Sequence, residues 1–116
     1  RHRVNADSPG LVFQDWGLPT PLALQALRPL RQRATLIASG GIRTGLDMVK
    51  AMVLGASLCG VASPFLQPAM ESTDAVRAWI QRLRREFVIA MFLLGISRAE
   101  QLVGNTALLA TDGASK

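Results

Sequence analysis

Two short apolar runs, Ala34 to Ser39 and Ser57 to Ala62, are joined by a stretch with helical spacing, and this pattern constrains the fold more than any other feature of the chain. A short, continuous apolar run bounded by basic residues or glycines reads as a strand covered on both faces, as in a parallel sheet. Two such strands with a helix of about ten residues between them form a right-handed parallel crossover. The chain therefore belongs to the α/β class. After each strand the backbone leaves through a breaker: Gly40-Gly41 follows the first, and Ser63-Pro64 the second.

The flanking residues supply helix starts and stops. Thr44 followed three residues later by Asp47 resembles a capping box and opens an amphipathic helix through Leu54, closed by Gly55. Ser63-Pro64 starts a brief helical turn, Phe65 to Met70, and Ser72-Thr73-Asp74 caps the longest helix. On that helix Val76, Trp79, Ile80, Leu83, Phe87, Met91 and Leu94 share an apolar face, opposite Arg77, Gln81, Arg84 and Arg85, and Gly95 stops it. Upstream, Thr20 reads as an N-cap with Pro21 at the first helical position, and Pro29 limits the helix that follows. Residues 1–17 read as a loop with a short extended piece at Leu11 to Phe13, and a fifth helix is expected from Ser97 to Val103. Residues 1–104 form the packed part, and residues 105–116 a flexible tail.

At 116 residues the chain can build a core, yet it is less than half the usual length of a closed βα barrel. The expected architecture is the C-terminal part of a (β/α)8 TIM barrel, with two parallel strands and five helices. Composition narrows the function classes. The net charge of +5 comes mostly from arginines spread along the chain, without interleaved aromatics, a pattern unlike a nucleic-acid groove. The single cysteine, Cys59, has no internal disulfide partner and suits a reducing, cytoplasmic setting. The longest apolar run, Phe87 to Leu94, is far short of a membrane span, and no targeting segment is evident.

The chemistry concentrates in Ser39-Gly40-Gly41-Ile42-Arg43-Thr44-Gly45, between a buried strand and a helix. Glycines let the backbone approach a ligand, amides at a helix N-terminus point outward, and the helix dipole favours an anion. Arg43 adds a guanidinium suited to phosphate. The next turn, Gly60-Val61-Ala62-Ser63-Pro64, opens a short extra helix, and barrels often build a phosphate site from two such consecutive loops.

These residues resemble a known group. The segment Ala38 to Asp47, with Lys50-Ala51 and Leu54-Gly55-Ala56, is similar to the C-terminal flavin-binding half of FMN-dependent barrels, which include 2-hydroxy-acid oxidases and type 2 isopentenyl-diphosphate isomerases. Three further stretches resemble the isomerases in particular: Asp15-Trp16-Gly17-Leu18-Pro19-Thr20, Gly60 to Leu66, and Ile89 to Gly95. The oxidases would carry Gly-Arg-Pro at the second turn. The resemblance covers Arg1 to about Leu102 and implies a homo-oligomeric enzyme that interconverts isopentenyl and dimethylallyl diphosphates with reduced FMN and Mg2+, using NADPH to keep the flavin reduced. It further implies that Gly41, Ile42 and Arg43 form one FMN-phosphate segment and Ala62 with Ser63 the other. Ser63 stands where many relatives have Arg or another residue; its hydroxyl can still donate to phosphate, but the loss of a guanidinium weakens the site. The family's substrate, flavin-ring and Mg2+ residues would all precede Arg1. Two alternatives remain: the end of an FMN-dependent 2-hydroxy-acid oxidoreductase, and a non-catalytic fragment that docks on a partner.

Other conspicuous residues have plain readings. His2, the sole histidine, lies beside two arginines and reads as solvated. Asp15 and Trp16 fit either a ligand or subunit contact, or a capping Asp and a packed indole. Arg82, Arg84 and Arg85 with Glu86 read as a solvated helix face, and Met48, Met52, Met70 and Met91 as core. No metal-ligand spacing, nucleophile triad or paired carboxylates support independent catalysis. An isolated chain would expose strand edges and apolar faces and should be sticky or marginal.

Overall fold

Strand β1 (Ile37–Ser39) and strand β2 (Leu58–Gly60) are parallel neighbours in the register Ile37 to Leu58, Ala38 to Cys59 and Ser39 to Gly60. This computed structural model describes residues 8–109 of the chain. Helix α1 (Thr20–Leu27) precedes β1, α2 (Gly45–Val53) crosses between the strands, and α3 (Ser63–Glu71) and α4 (Thr73–Leu93) follow β2. The expected crossover is present, and the strands end at paired residues, so the two turns leave the same end of the sheet side by side.

Among the described residues only one face of the sheet is covered, which corrects the reading of strands buried on both faces. Ala38 is 2% exposed, whereas Ile37 is 61% and its partner Leu58 59% exposed. Period-two alternation aims Ala38 inward and leaves its neighbours outward, where no element of the described residues lies. The inward side holds two clusters. Leu24, Ala38, Ile42, Ala51 and Ala56 join α1, β1 and α2, while Val49, Met52, Val53, Ala90 and Leu102 join α2, α4 and the last described segment. Cys59 touches both, and burial pushes its thiol above its ordinary pKa, so the thiol stays protonated at neutral pH and is a poor nucleophile.

The α2–α4 contact depends on Gly45. A Cβ there would lie 2.4 Å from both the Leu83 carbonyl oxygen and the Phe87 nitrogen, so the helix backbones touch where no side chain fits. Helix α4 buries Leu83 and Ala90 and partly covers Val76, Trp79, Phe87 and Met91, as its spacing predicts. Ile80 is half exposed, and Val88, Ile89, Phe92 and Leu93 form a second apolar stripe open to solvent. Arg82 lies over the Trp79 ring, 5.2 Å from its centroid.

Several local expectations need revision. Four α-helices occur among the described residues, not five. The stretch expected as the fifth shrinks to a 3-10 turn, Ala99–Gln101, because the Gln101 side chain accepts from the Ser97 and Arg98 amides and Gly104 turns the chain with φ 69°. Leu11 to Phe13 is not extended but part of a 3-10 helix, Pro9–Phe13, whose φ Pro9 presets and whose Gly10 amide donates to the Ser8 hydroxyl. Met70 is 80% exposed and is not core. Within the expected tail, residues 106–108 form another 3-10 turn; His2 and residues 110–116 lie outside the described residues. No helix among the described residues is long and apolar enough to cross a membrane.

Candidate phosphate site

The first turn is built by glycine conformation. Gly40 and Gly41 adopt φ 98° and 73°, left-handed values that L side chains rarely tolerate. A Cβ on Gly41 would meet nothing within 4 Å, so glycine stands there for its backbone and leaves the space before it open. Ile42 then points into the core at 7% exposure, and Arg43 projects to solvent with no ion pair among the described residues. Gly41, Ile42 and Arg43 all lie in this turn.

The helix behind the turn does not offer the free amides the sequence suggested. The Arg43 and Thr44 amides both donate to Asp47 Oδ2, at 3.0 and 3.2 Å. The Asp47 amide donates to Thr44 Oγ1 at 3.1 Å, which completes the capping box. The next amide, Gly45, donates to Glu86 Oε1 of α4 at 3.0 Å. The start of α2 is thus closed by two carboxylates of the chain itself. What remains for a ligand is the Gly41 and Ile42 amides, which have no hydrogen-bond partner among the described residues, and the Arg43 guanidinium.

Across the register pair Ser39 to Gly60, the second turn carries Ala62 and Ser63. Both are exposed, and α3 starts with no side-chain cap; Pro64 in its first turn lacks an N–H, and the Phe65 amide donates to the Ala62 carbonyl. An uncapped helix start with an exposed hydroxyl retains the dipole that α2 has neutralised. Gly60 keeps the strands close, since a Cβ there would approach Ser39 Oγ to 3.2 Å. The two turns at these adjacent strand ends thus leave two amides, one guanidinium, one hydroxyl and one uncapped helix start, donors of the kind an anion takes.

Two contributors escaped the sequence reading. Thr20 is not the N-cap of α1, a place held by Pro19; its hydroxyl instead reaches the glycine turn, 3.1 Å from the Ser39 carbonyl oxygen and 2.8 Å from that of Gly40. Glu86 is not simply part of a solvated face, because it bridges the Gly45 amide and Arg82 Nε, the latter at 3.3 Å. Spacing along one helix could not reveal either contact, since each joins segments distant in sequence. Trp16 is 83% exposed and meets Phe13 edge-on with centroids 6.3 Å apart, which removes the packed-indole reading. A cavity of about 470 Å³ lies between Leu18, Pro19, Thr20, Gly41, Ile42 and α2. Its largely apolar lining is unsuited to a phosphate. Among the described residues no three His, Cys, Asp or Glu side chains gather as metal ligands.

Comparisons with known proteins place the chain among flavin enzymes. A family model described as FMN-dependent dehydrogenase matches residues 15–109, which includes both turns. The chain is 52% identical over 100 residues to the isopentenyl-diphosphate delta-isomerase of Hydrogenovibrio crunogenus, covering 86% of this chain and 29% of that protein. It is 49% identical to the protein of the same name from Paracoccus zeaxanthinifaciens, over 94% of this chain and 33% of the relative. Against the Methanoregula boonei isomerase the identity is 41%, over 90% and 30% respectively. The chain thus spans only about a third of the length of these curated relatives. With most of its length matched, from Asp15 to Leu109, the chain belongs to the FMN-dependent dehydrogenase family.

Proposed function

We propose that this chain is the C-terminal portion of an FMN-dependent barrel that interconverts isopentenyl and dimethylallyl diphosphates, and that its two turns hold the FMN phosphate. One observation carries the reading: the turns that hold Gly41, Ile42 and Arg43 and Ala62 and Ser63 leave neighbouring strand ends, because β1 and β2 end in register, and the donors left free there suit a dianion. The names of the relatives favour an isomerase over a 2-hydroxy-acid oxidoreductase.

When bound, FMN supplies the flavin ring on which the isomerisation depends. The residues of this chain bind and orient it. The Gly41 and Ile42 amides and the Arg43 guanidinium would hold the phosphate, and the start of α3 with Ser63 would supply the second half of the cradle. Asp47 and Glu86 hold α2 in place and are not ligands, since a carboxylate facing a phosphate would repel it. The diphosphate substrate, Mg2+ and NADPH fall to the preceding part of the barrel, which would also cover Ile37, Leu58 and the open stripe of α4.

The test uses a whole barrel, with the preceding part supplied by the Hydrogenovibrio crunogenus isomerase and the last segment by this chain. Arg43→Ala removes a charge-assisted bond of about 1.5–3 kcal/mol and should weaken FMN binding about ten- to a hundredfold. Unchanged FMN affinity in that variant, measured by flavin fluorescence, would overturn the assignment of Arg43.

A further inference from the structure

The Asp15 to Thr20 loop ends at a residue that touches the glycine turn. Thr20 Oγ1 lies 2.8 Å from the Gly40 carbonyl oxygen and 3.1 Å from that of Ser39, contacts that join residues twenty and nineteen positions apart. Its own helix gains nothing from this hydroxyl, because α1 has no side-chain cap bond and the Ala23 amide already donates to the Pro19 carbonyl. The hydroxyl is therefore committed to the turn.

The consequence follows from peptide geometry. All peptide bonds of the described residues are trans, so the carbonyl of Gly40 and the N–H of Gly41 point in opposite directions. Holding the Gly40 oxygen toward α1 aims the Gly41 N–H away from it, and that amide has no hydrogen-bond partner among the described residues. Two consecutive glycines at φ 98° and 73° leave this peptide free to flip, since glycine resists few backbone conformations. A donor on one side removes that freedom before any ligand arrives.

We infer that Thr20 is a positioning residue for the FMN phosphate: its hydroxyl fixes the Gly40–Gly41 peptide so that the Gly41 amide is preset to donate to the phosphate. The inference rests on the phosphate reading proposed above. It assigns the end of the Asp15 to Thr20 loop a task in cofactor selection that does not require contact with the cofactor. Any side chain at position 40 would disturb the same contact, because its Cβ would approach Thr20 Oγ1 to 3.2 Å.

The experiment compares FMN with riboflavin, which has the same ring and no phosphate, by fluorescence titration of the flavin-free grafted barrel. The parent should prefer FMN. Thr20→Val, which keeps the shape and loses the donor, should weaken FMN binding about five- to tenfold and leave riboflavin binding within about twofold. Thr20→Ser should restore the preference. A Thr20→Val protein that keeps the full FMN-to-riboflavin ratio, or that loses both ligands equally, overturns the positioning role while leaving the phosphate site intact. A parent with no preference for FMN overturns the phosphate reading itself. If Thr20→Val does not fold, Thr20→Ala removes the donor with less crowding and is judged by the same ratio.

Discussion

The turn after β1 and the turn after β2 begin at paired residues, Ser39 and Gly60, yet they treat their helices differently. The first spends its helix-start amides internally: Asp47 takes those of Arg43 and Thr44, and Glu86 takes that of Gly45. The second leaves the start of α3 without a side-chain cap. On the proposed phosphate reading, a turn with a neutralised helix start stands beside an open one, the first offering shaped backbone and an arginine and the second the helix dipole. Glycine-rich turns before helices are therefore not equivalent anion sites; what matters is which amides the chain has already used.

The largest expected effect tests how firmly the first turn is tied down. Gly45→Ala would place a methyl 2.4 Å from the α4 backbone at Leu83 and Phe87 and force α2 away from α4. Overpacking against backbone should cost about 3 kcal/mol or more, and the Glu86 bond would go with it. A urea midpoint unchanged from that of the parent barrel would show that the two helices are not locked at this point. Gly60→Ala, whose Cβ would crowd the Ser39 side chain at 3.2 Å and 3.3 Å and meet the Ala38 carbonyl oxygen at an ordinary 3.8 Å, should cost less and so mark the second turn as the looser one.

The next effect separates ligand from cap. Arg43→Ala should lower FMN affinity and spare stability, because the guanidinium is exposed and unpaired among the described residues. Asp47→Ala should do the reverse. It removes the acceptor for two amides and one side of the capping box, a loss of about 1 kcal/mol of stability, while freeing the Arg43 and Thr44 amides and removing a negative charge beside the phosphate. A melting curve and an FMN titration on each variant decide the matter. If Asp47→Ala loses FMN as severely as Arg43→Ala, the division between cap and ligand is wrong.

Much of this arrangement was legible in the residues themselves. The capping box of Thr44 and Asp47, the cap at Ser72, the proline in the first turn of α3, and the stops at Gly55 and Gly95 are local, and local chemistry decided them. The order of strand, helix and strand also followed from pattern alone. The misreadings have one physical origin, the dependence of a side chain on partners far away in sequence. Thr20 has the right residue type and place for an N-cap, but a carbonyl at Gly40 competes for its hydroxyl. Glu86 reads as surface charge until α2 is packed against α4. Ile37 and Leu58 read as doubly buried because apolar runs record coverage by the whole fold, and the described residues supply one side of it.

The smallest effect belongs to the second turn and sharpens the contrast most directly. Ser63 offers one exposed hydroxyl at an uncapped helix start, a neutral donor where Arg43 offers a charged one. A neutral hydrogen bond is worth about 0.5–1.5 kcal/mol net, so Ser63→Ala should weaken FMN binding only about two- to tenfold. The backbone dipole of α3 survives the substitution, which is why the loss should be incomplete. Ser63→Arg should then tighten FMN binding, since a guanidinium facing a dianion gains more than a hydroxyl. Should Ser63→Arg leave FMN affinity unchanged while Ser63→Ala also does, the second turn would have no part in the phosphate site, and the first turn with Arg43 would have to hold the dianion alone.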